Sequence, residues 1–200
     1  MNKKKNIIIL VLAFVLLIGG ASVLYTQLGK NDAPDSLVIQ GDQNKKDNES
    51  QSDTPGADDA EEQPTKAPDF TVYDVSGNKV NLSNYIGKPI VLNFWASWCG
   101  PCQSEMPDFH EKYLELGDEI HFLMVNMTGE RETLSSAKAF ISEKGYTFPA
   151  FYDTDSDATM TYSVYSLPTT YFIDAEGHLI AQATGAISAD TLQRGIDMIK

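Results

Sequence analysis

The only two cysteines of the 200-residue chain, Cys99 and Cys102, are separated by two residues. A disulfide that closes so short a loop restricts the unfolded chain very little, so a purely structural cross-link is a weak explanation. A four-ligand metal site would need two further ligands, and no pair of histidines stands at ligand spacing. We therefore interpret the pair as a redox-active dithiol; the alternative is two small buried side chains that are close by coincidence.

The segments on either side of the cysteines favour a reactive Cys99. Residues 90–96 are apolar apart from Asn93, as in a strand buried on both faces. Apolar residues then recur at helical spacing, at Met106, Phe109, Tyr113 and Leu116. Pro101 suits the first turn of that helix. Cys99 would therefore lie at the helix N-terminus, where unpaired N–H groups and the helix dipole favour its thiolate. Cys102, one turn further, could then resolve a mixed disulfide.

Residues 98–102, Trp-Cys-Gly-Pro-Cys, are identical to the active-site motif of the thioredoxin family, and the preceding Phe-Trp-Ala-Ser also matches. Pro107 resembles the proline that kinks the active-site helix in that family. The resemblance implies thiol–disulfide exchange at Cys99 and Cys102, with no cofactor beyond the redox-active disulfide.

Residues 166–170, Ser-Leu-Pro-Thr-Thr, resemble the cis-proline segment of thioredoxins. The resemblance implies a cis bond before Pro168, which would pack beside the dithiol, and a backbone at Leu167 that binds substrate. It also implies that residues flanking the cysteines receive substrate, namely Trp98, Gly100 and Pro101. The alternatives are a strand-edge proline for Pro168 and pure packing for Trp98.

Three further segments resemble the TlpA/ResA branch of membrane-anchored, extracytoplasmic thioredoxin-like proteins. The first is the opening of the domain, Ala67-Pro68-Asp69-Phe70, which precedes a hairpin that turns at residues 76–78. The second is residues 87–95, which resemble the strand that leads to the cysteines in that branch. The third is residues 128–152, which resemble the branch's insertion between a central strand and the cis-proline. The opening segment also occurs in peroxiredoxins, but their peroxidatic-cysteine loop has no counterpart here. We predict an α/β fold: a thioredoxin-like mixed β-sheet flanked by helices, with an extra N-terminal hairpin and a central insertion, preceded by one transmembrane helix.

Asn93 stands where cytoplasmic thioredoxins have a buried aspartate, and an asparagine does not titrate. Another group must therefore exchange protons with Cys102. Glu105 matches a glutamate of the ResA branch and lies one helical turn from Cys102. Burial would raise its pKa and suit it to that task. The alternative is an acid placed to complement the helix dipole.

The remainder of the domain reads as alternating strands and helices. We predict a strand at residues 120–125, a helix that ends near Gly145, a helix over residues 156–165, a hairpin turn at residues 175–177 and a last helix capped by Ser188.

Composition divides the chain into an anchor (residues 1–29), a disordered acidic linker (30–66) and the thioredoxin-like domain (67–200). Lysines precede 24 uncharged, mostly apolar residues, 6–29, which as a helix would span about 36 Å, enough to cross a bilayer. The basic flank places the N-terminus in the cytoplasm and the domain outside. A cleaved signal peptide is the alternative.

The net charge of −13 argues against nucleic acid as a partner. We expect a monomeric oxidoreductase at the cell membrane of a Gram-positive-type bacterium. It would reduce disulfides of exported proteins, with cytochrome c maturation among the roles that the resemblance implies. Electrons would come from a membrane thiol carrier of the CcdA/DsbD kind. The alternatives are an oxidase that forms disulfides in secreted proteins and a metal-carrying thioredoxin-fold protein.

Overall fold

A computed structural model describes residues 36–39, 65–129 and 131–200. Within them the strands form one mixed sheet in the order β1-β8-β7-β4-β5-β6-β2-β3. The strands are β1 Val38–Ile39, β2 Thr71–Tyr73, β3 Lys79–Asn81, β4 Ile90–Trp95, β5 His121–Asn126, β6 Ala150–Tyr152, β7 Thr169–Ile173 and β8 Leu179–Thr184. The α-helices are α1 Gly100–Leu116, α2 Leu134–Lys144, α3 Asp157–Thr161 and α4 Ala189–Ile199, and a 3-10 helix covers Leu82–Tyr85.

Strand β4 lies in the middle of the sheet and leads directly to the cysteines. It pairs in parallel with β5 and antiparallel with β7, and all six of its residues are buried. Its side chains alternate between two apolar clusters: Val91 and Trp95 belong to one, and Ile90, Leu92 and Phe94 to the other. The predicted α/β mixed sheet and its buried central strand are therefore confirmed.

Helix α2 ends, and helix α4 begins, where local sequence signals place these two ends. Gly145 ends α2 in the left-handed region, at φ 69°, which glycine adopts without strain. The Ser188 hydroxyl caps α4 by accepting a hydrogen bond from the Thr191 N–H at 3.2 Å. Both predictions are confirmed, as is the tight turn between β7 and β8.

The helix predicted over residues 156–165 is wrong in its second half, because α3 ends at Thr161. Ser163 adopts a left-handed conformation, with φ 50°. The Ser163 N–H then bonds the Met160 carbonyl at 3.1 Å, and the Val164 N–H bonds that of Thr159 at 3.0 Å. This is the Schellman pattern that ends helices, formed here without the usual glycine. It turns the chain toward the segment before Pro168.

The N-terminal hairpin and the insertion extend the sheet on one side. Strands β2 and β3 pair around a turn held by Asp74, whose carboxylate accepts hydrogen bonds from the backbone of Ser76 and Asn78. The hairpin joins the sheet through β6, which follows α2 in the insertion. The predicted hairpin is therefore confirmed.

Part of the predicted linker is paired with the opposite edge of the sheet. Val38 and Ile39 add an antiparallel strand to β8, and the Thr65 carbonyl accepts a hydrogen bond from the Leu179 N–H at 2.9 Å. These short stretches are ordered by backbone pairing, which the acidic composition around them does not predict. The rest of the linker and the predicted anchor lie outside the described residues. Among the helices of the described part, none has the length and apolarity to span a bilayer.

Candidate active site

Cys99 and Cys102 form a disulfide at the N-terminus of α1. Their sulfurs are 2.09 Å apart and their Cα atoms 5.3 Å apart. Cys99 is the N-cap residue, and its sulfur accepts a hydrogen bond from the Cys102 N–H at 3.2 Å. Cys102 is fully buried, whereas Cys99 is 4% exposed. Of the two cysteines, Cys99 is therefore the more exposed.

The residues beside the disulfide present an open surface. Gly100 starts α1 with Pro101 behind it, and a Cβ added to Gly100 would meet nothing within 4 Å. Trp98 is 45% exposed. The segment predicted to bind substrate lies on the adjacent strand: Pro168 follows a cis peptide bond, as predicted, and immediately precedes Thr169, which pairs with Phe94. This register places Leu167 and Pro168 beside the loop that leaves β4.

Glu105 is buried on the inner face of α1, one turn beyond Cys102. Its carboxylate accepts hydrogen bonds from Asn93 Nδ2 at 2.9 Å and from the Ile187 N–H at 3.0 Å. Burial raises the pKa of Glu105 to about 7, and these two hydrogen bonds offset only part of the rise, to which the charge of Asp108 adds. A carboxyl group with this pKa exchanges protons near neutral pH. Its burial favours this role over complementing the helix dipole.

Asn93 connects Glu105 to the sheet. Its side chain lies on the same face of β4 as Val91 and Trp95, which pack in the cluster that contains both cysteines. Besides Glu105, its amide donates to Thr170 Oγ1 at 3.0 Å. A non-titrating amide thus occupies the centre of the site, and the titratable group hydrogen-bonded to it is Glu105.

Two residues of the site were missed by the sequence reasoning. Glu132, in the loop between β5 and α2, is 2% exposed and accepts hydrogen bonds from the backbone N–H and the hydroxyl of Ser97. The guanidinium of Arg131 lies 4.2 Å from the ring centroid of Trp98. Nothing in the local sequence signals these contacts, because Glu132 is 35 residues from Ser97 and an acid before a helix is ordinarily solvent-exposed.

The chain is similar to characterised proteins over the region that holds this site. The model of the AhpC/TSA family matches residues 64–182. The thiol-disulfide oxidoreductase ResA of Geobacillus kaustophilus is 37% identical over 135 residues, which cover 67% of this chain and 76% of the relative. The thioredoxin-like protein YneN of Bacillus subtilis is 33% identical over 133 residues, covering 66% and 78%.

Solved structures share the fold. StoA from Bacillus subtilis aligns with a TM-score of 0.58 at 25% identity, over 66% of this chain and 99% of StoA. The exposed lipoprotein thioredoxin Etrx1 of Streptococcus pneumoniae aligns with a TM-score of 0.58 at 33% identity, over 65% and 98%. Since the family match spans more than half of the chain and includes both cysteines, the chain belongs to the AhpC/TSA family, as a thioredoxin-fold thiol–disulfide oxidoreductase related to ResA.

Proposed function

We propose that the chain reduces disulfides of exported proteins. The Cys99 thiolate attacks a client disulfide, forms a mixed disulfide and releases one client thiolate. Cys102 then attacks the Cys99 sulfur, closes the Cys99–Cys102 disulfide and releases the second client sulfur. Two electrons pass from the dithiol to the client, and the two client thiolates take up the protons that the cysteines lose.

The position of Glu105 is the observation that carries this mechanism. The second step requires Cys102 without its proton, and a fully buried thiol does not readily lose a proton to water. Glu105 lies one turn away with a pKa of about 7, so it can accept that proton. The same group can return the proton when the reaction runs backward, so Glu105 supports exchange in either direction.

The direction of electron flow is inferred from the residues between the cysteines. The Gly100–Pro101 pair resembles the pair that lies between the cysteines of reducing thioredoxins. Dithiol potentials in this fold extend over roughly 150 mV, from thioredoxin to DsbA, and the intervening pair is one of the features that set them. An oxidase that uses the same cysteines is the alternative.

The proposed location is the outer face of the membrane, with residues 1–29 as the anchor. A reductase outside the cytoplasm needs electrons from within, for which we propose a membrane thiol carrier of the CcdA/DsbD kind. Apocytochrome c cysteines are the first clients to examine. Among the proteins of similar structure, Etrx1 is an exposed lipoprotein, and a Mycobacterium tuberculosis disulfide oxidoreductase, 25% identical with a TM-score of 0.56, is secreted.

The redox state of the dithiol in growing cells tests this proposal. Cells are quenched in acid, free thiols are alkylated with a mass-tagged maleimide, and the tags are counted by gel shift. A reductase is kept reduced, so Cys99 and Cys102 should both carry tags, and loss of the membrane carrier should abolish the tagging. A pool that stays oxidised in wild-type cells would contradict the proposal and favour the oxidase.

A further inference from the structure

The loop between β5 and α2 is hydrogen-bonded to the loop between β4 and α1, which leads to the dithiol. The carboxyl group of Glu132 accepts hydrogen bonds from the Ser97 N–H, from Ser97 Oγ at 3.0 Å and from Ser136 Oγ. A buried side chain that accepts three hydrogen bonds joins two segments far apart in the sequence. Its contact with Ser97 is the one that reaches the active site.

Backbone hydrogen bonds between described residues of this loop support the position of Glu132. Gly129 and Glu132 exchange two backbone hydrogen bonds, at 2.8 and 3.2 Å. Arg131, the neighbour of Glu132, places its guanidinium over the ring of Trp98, the neighbour of Ser97. Two consecutive residues of this loop, Arg131 and Glu132, therefore contact two consecutive residues of the loop after β4, Trp98 and Ser97.

The contacts with Ser97 are linked to Cys99 through a short series of hydrogen bonds. The Ser97 carbonyl accepts a hydrogen bond from Gln103 Nε2 at 2.6 Å, so Ser97 is held on both sides. The Cys99 N–H bonds the Ala96 carbonyl at 3.2 Å. This turn sets Cys99 at the N-cap of α1, where the Cys102 N–H reaches its sulfur.

We propose that Glu132 is a positioning residue that acts through Ser97 to keep the Cys99 sulfur at the helix N-terminus, where its thiolate is stabilised. The proposal rests on thiol exchange at Cys99 and not on the proposed direction of electron flow. A competing role is purely structural, because Glu132 also contacts Ser136 in the first turn of α2. A second competing role is electrostatic, in which the carboxyl group acts on Cys99 by its charge alone.

Thr133 provides the matched control for the structural role. Its hydroxyl caps α2 by accepting a hydrogen bond from the Ser136 N–H at 3.0 Å, and Ser97 is not among its partners. Thr133→Ala therefore weakens the same helix end and leaves the Ser97 contact in place. Glu132→Gln separates geometry from charge, because its amide oxygen can still accept from the Ser97 N–H while the rotatable hydroxyls adapt to its amide nitrogen.

The test measures the rate at which iodoacetamide alkylates Cys99 between pH 5 and 9. All variants are made in full-length Cys102→Ser protein, so that a single thiol reacts, and circular dichroism confirms folding. Glu132→Ala should slow alkylation at pH 6 at least fivefold and shift the midpoint of the profile upward. Glu132→Gln should restore most of the rate, and Thr133→Ala should stay within twofold of the parent.

Three results would overturn the proposal. If the alkylation profile of Glu132→Ala equals that of the parent protein, Glu132 has no role in the reactivity of Cys99. If Thr133→Ala slows alkylation as much as Glu132→Ala does, the effect comes from the cap of α2. If both Glu132 variants are alkylated faster than the parent at low pH, the charge of Glu132 dominates over its hydrogen bonds. If Glu132→Ala does not fold, Glu132→Asp replaces it, because the loss of one methylene withdraws the carboxyl group from Ser97. An alkylation profile of Glu132→Asp equal to that of the parent would again refute the positioning role of Glu132. Alkylation needs no client, so these outcomes are independent of whether the protein reduces or oxidises.

Discussion

The free energy of unfolding of the oxidised protein should fall as pH rises because Glu105 is buried, and replacing Glu105 by glutamine should remove this dependence. Burial raises the pKa of Glu105 from its ordinary value of 4.5 to about 7. A group whose pKa is higher in the folded state contributes stability below its unfolded pKa and loses that contribution as pH rises through the folded value. At about 1.4 kcal/mol per pKa unit, a rise of roughly 2.5 units corresponds to about 3 kcal/mol, lost between pH 4.5 and just above pH 7.

The variant should fold because its surroundings can accommodate an amide. Asn93 Oδ1 has no hydrogen-bond partner among the described residues. A 180° rotation of the Asn93 amide would turn this oxygen toward the new glutamine N–H, while the Ile187 N–H keeps an oxygen acceptor. Glu105→Gln therefore replaces a titrating group by a neutral one of the same shape.

Urea unfolding at half-unit steps from pH 4.5 to 8 measures the effect. The difference in unfolding free energy between wild type and Glu105→Gln isolates Glu105, because the other groups titrate alike in both proteins. It should change by about 3 kcal/mol across the range, with the variant gaining on the wild type as pH rises. Glu111→Gln, at an exposed glutamate of the same helix, is the control and should follow the wild type. A difference that is constant with pH would refute the burial argument.

The remaining predictions concern the cysteines and the packing that supports them. Cys99→Ser should abolish disulfide reduction in a turnover assay, whereas Cys102→Ser should leave a mixed disulfide with the natural client; recovery of no adduct would count against two-step exchange. Gly195→Ala should destabilise the fold by about 2 kcal/mol or more, since the added Cβ would lie 2.2 Å from the ring of Phe172, while Gly100→Ala, which meets nothing within 4 Å, should leave the unfolding midpoint nearly unchanged. Asp153→Ala should cost about 1–2 kcal/mol because the Asp153 carboxylate accepts hydrogen bonds from the Ala158 and Thr159 N–H groups in α3, and equal urea midpoints would contradict this.

The elements that could be predicted from the sequence are those with local signals. Strand β4 is an apolar run interrupted only by Asn93, the dithiol is defined by its own spacing, and Gly145 and Ser188 mark helix ends by their residue types. The end of α3 was missed because Ser163 takes the left-handed conformation that the sequence reasoning assigns to glycine.

The contacts around the dithiol are only partly local. Glu105 could be placed near Cys102 because the two are one helical turn apart. Its partner Ile187 is 82 residues away, and it binds through a backbone N–H that carries no sequence signal. Glu132 is likewise brought to Ser97 by the parallel pairing of β4 and β5, which places the loops after both strands at the same edge of the sheet. Such contacts depend on the assembled sheet, so residue types alone do not reveal them.

The reduction potential of the Cys99–Cys102 pair tests the proposed reductase most directly. Purified protein is equilibrated with glutathione buffers of graded ratio and quenched in acid, and the reduced fraction is counted by alkylation. A value near the roughly −270 mV of thioredoxin is expected for a reductase. A value near the roughly −120 mV of DsbA would contradict it and make the formation of disulfides in secreted proteins the task of this dithiol.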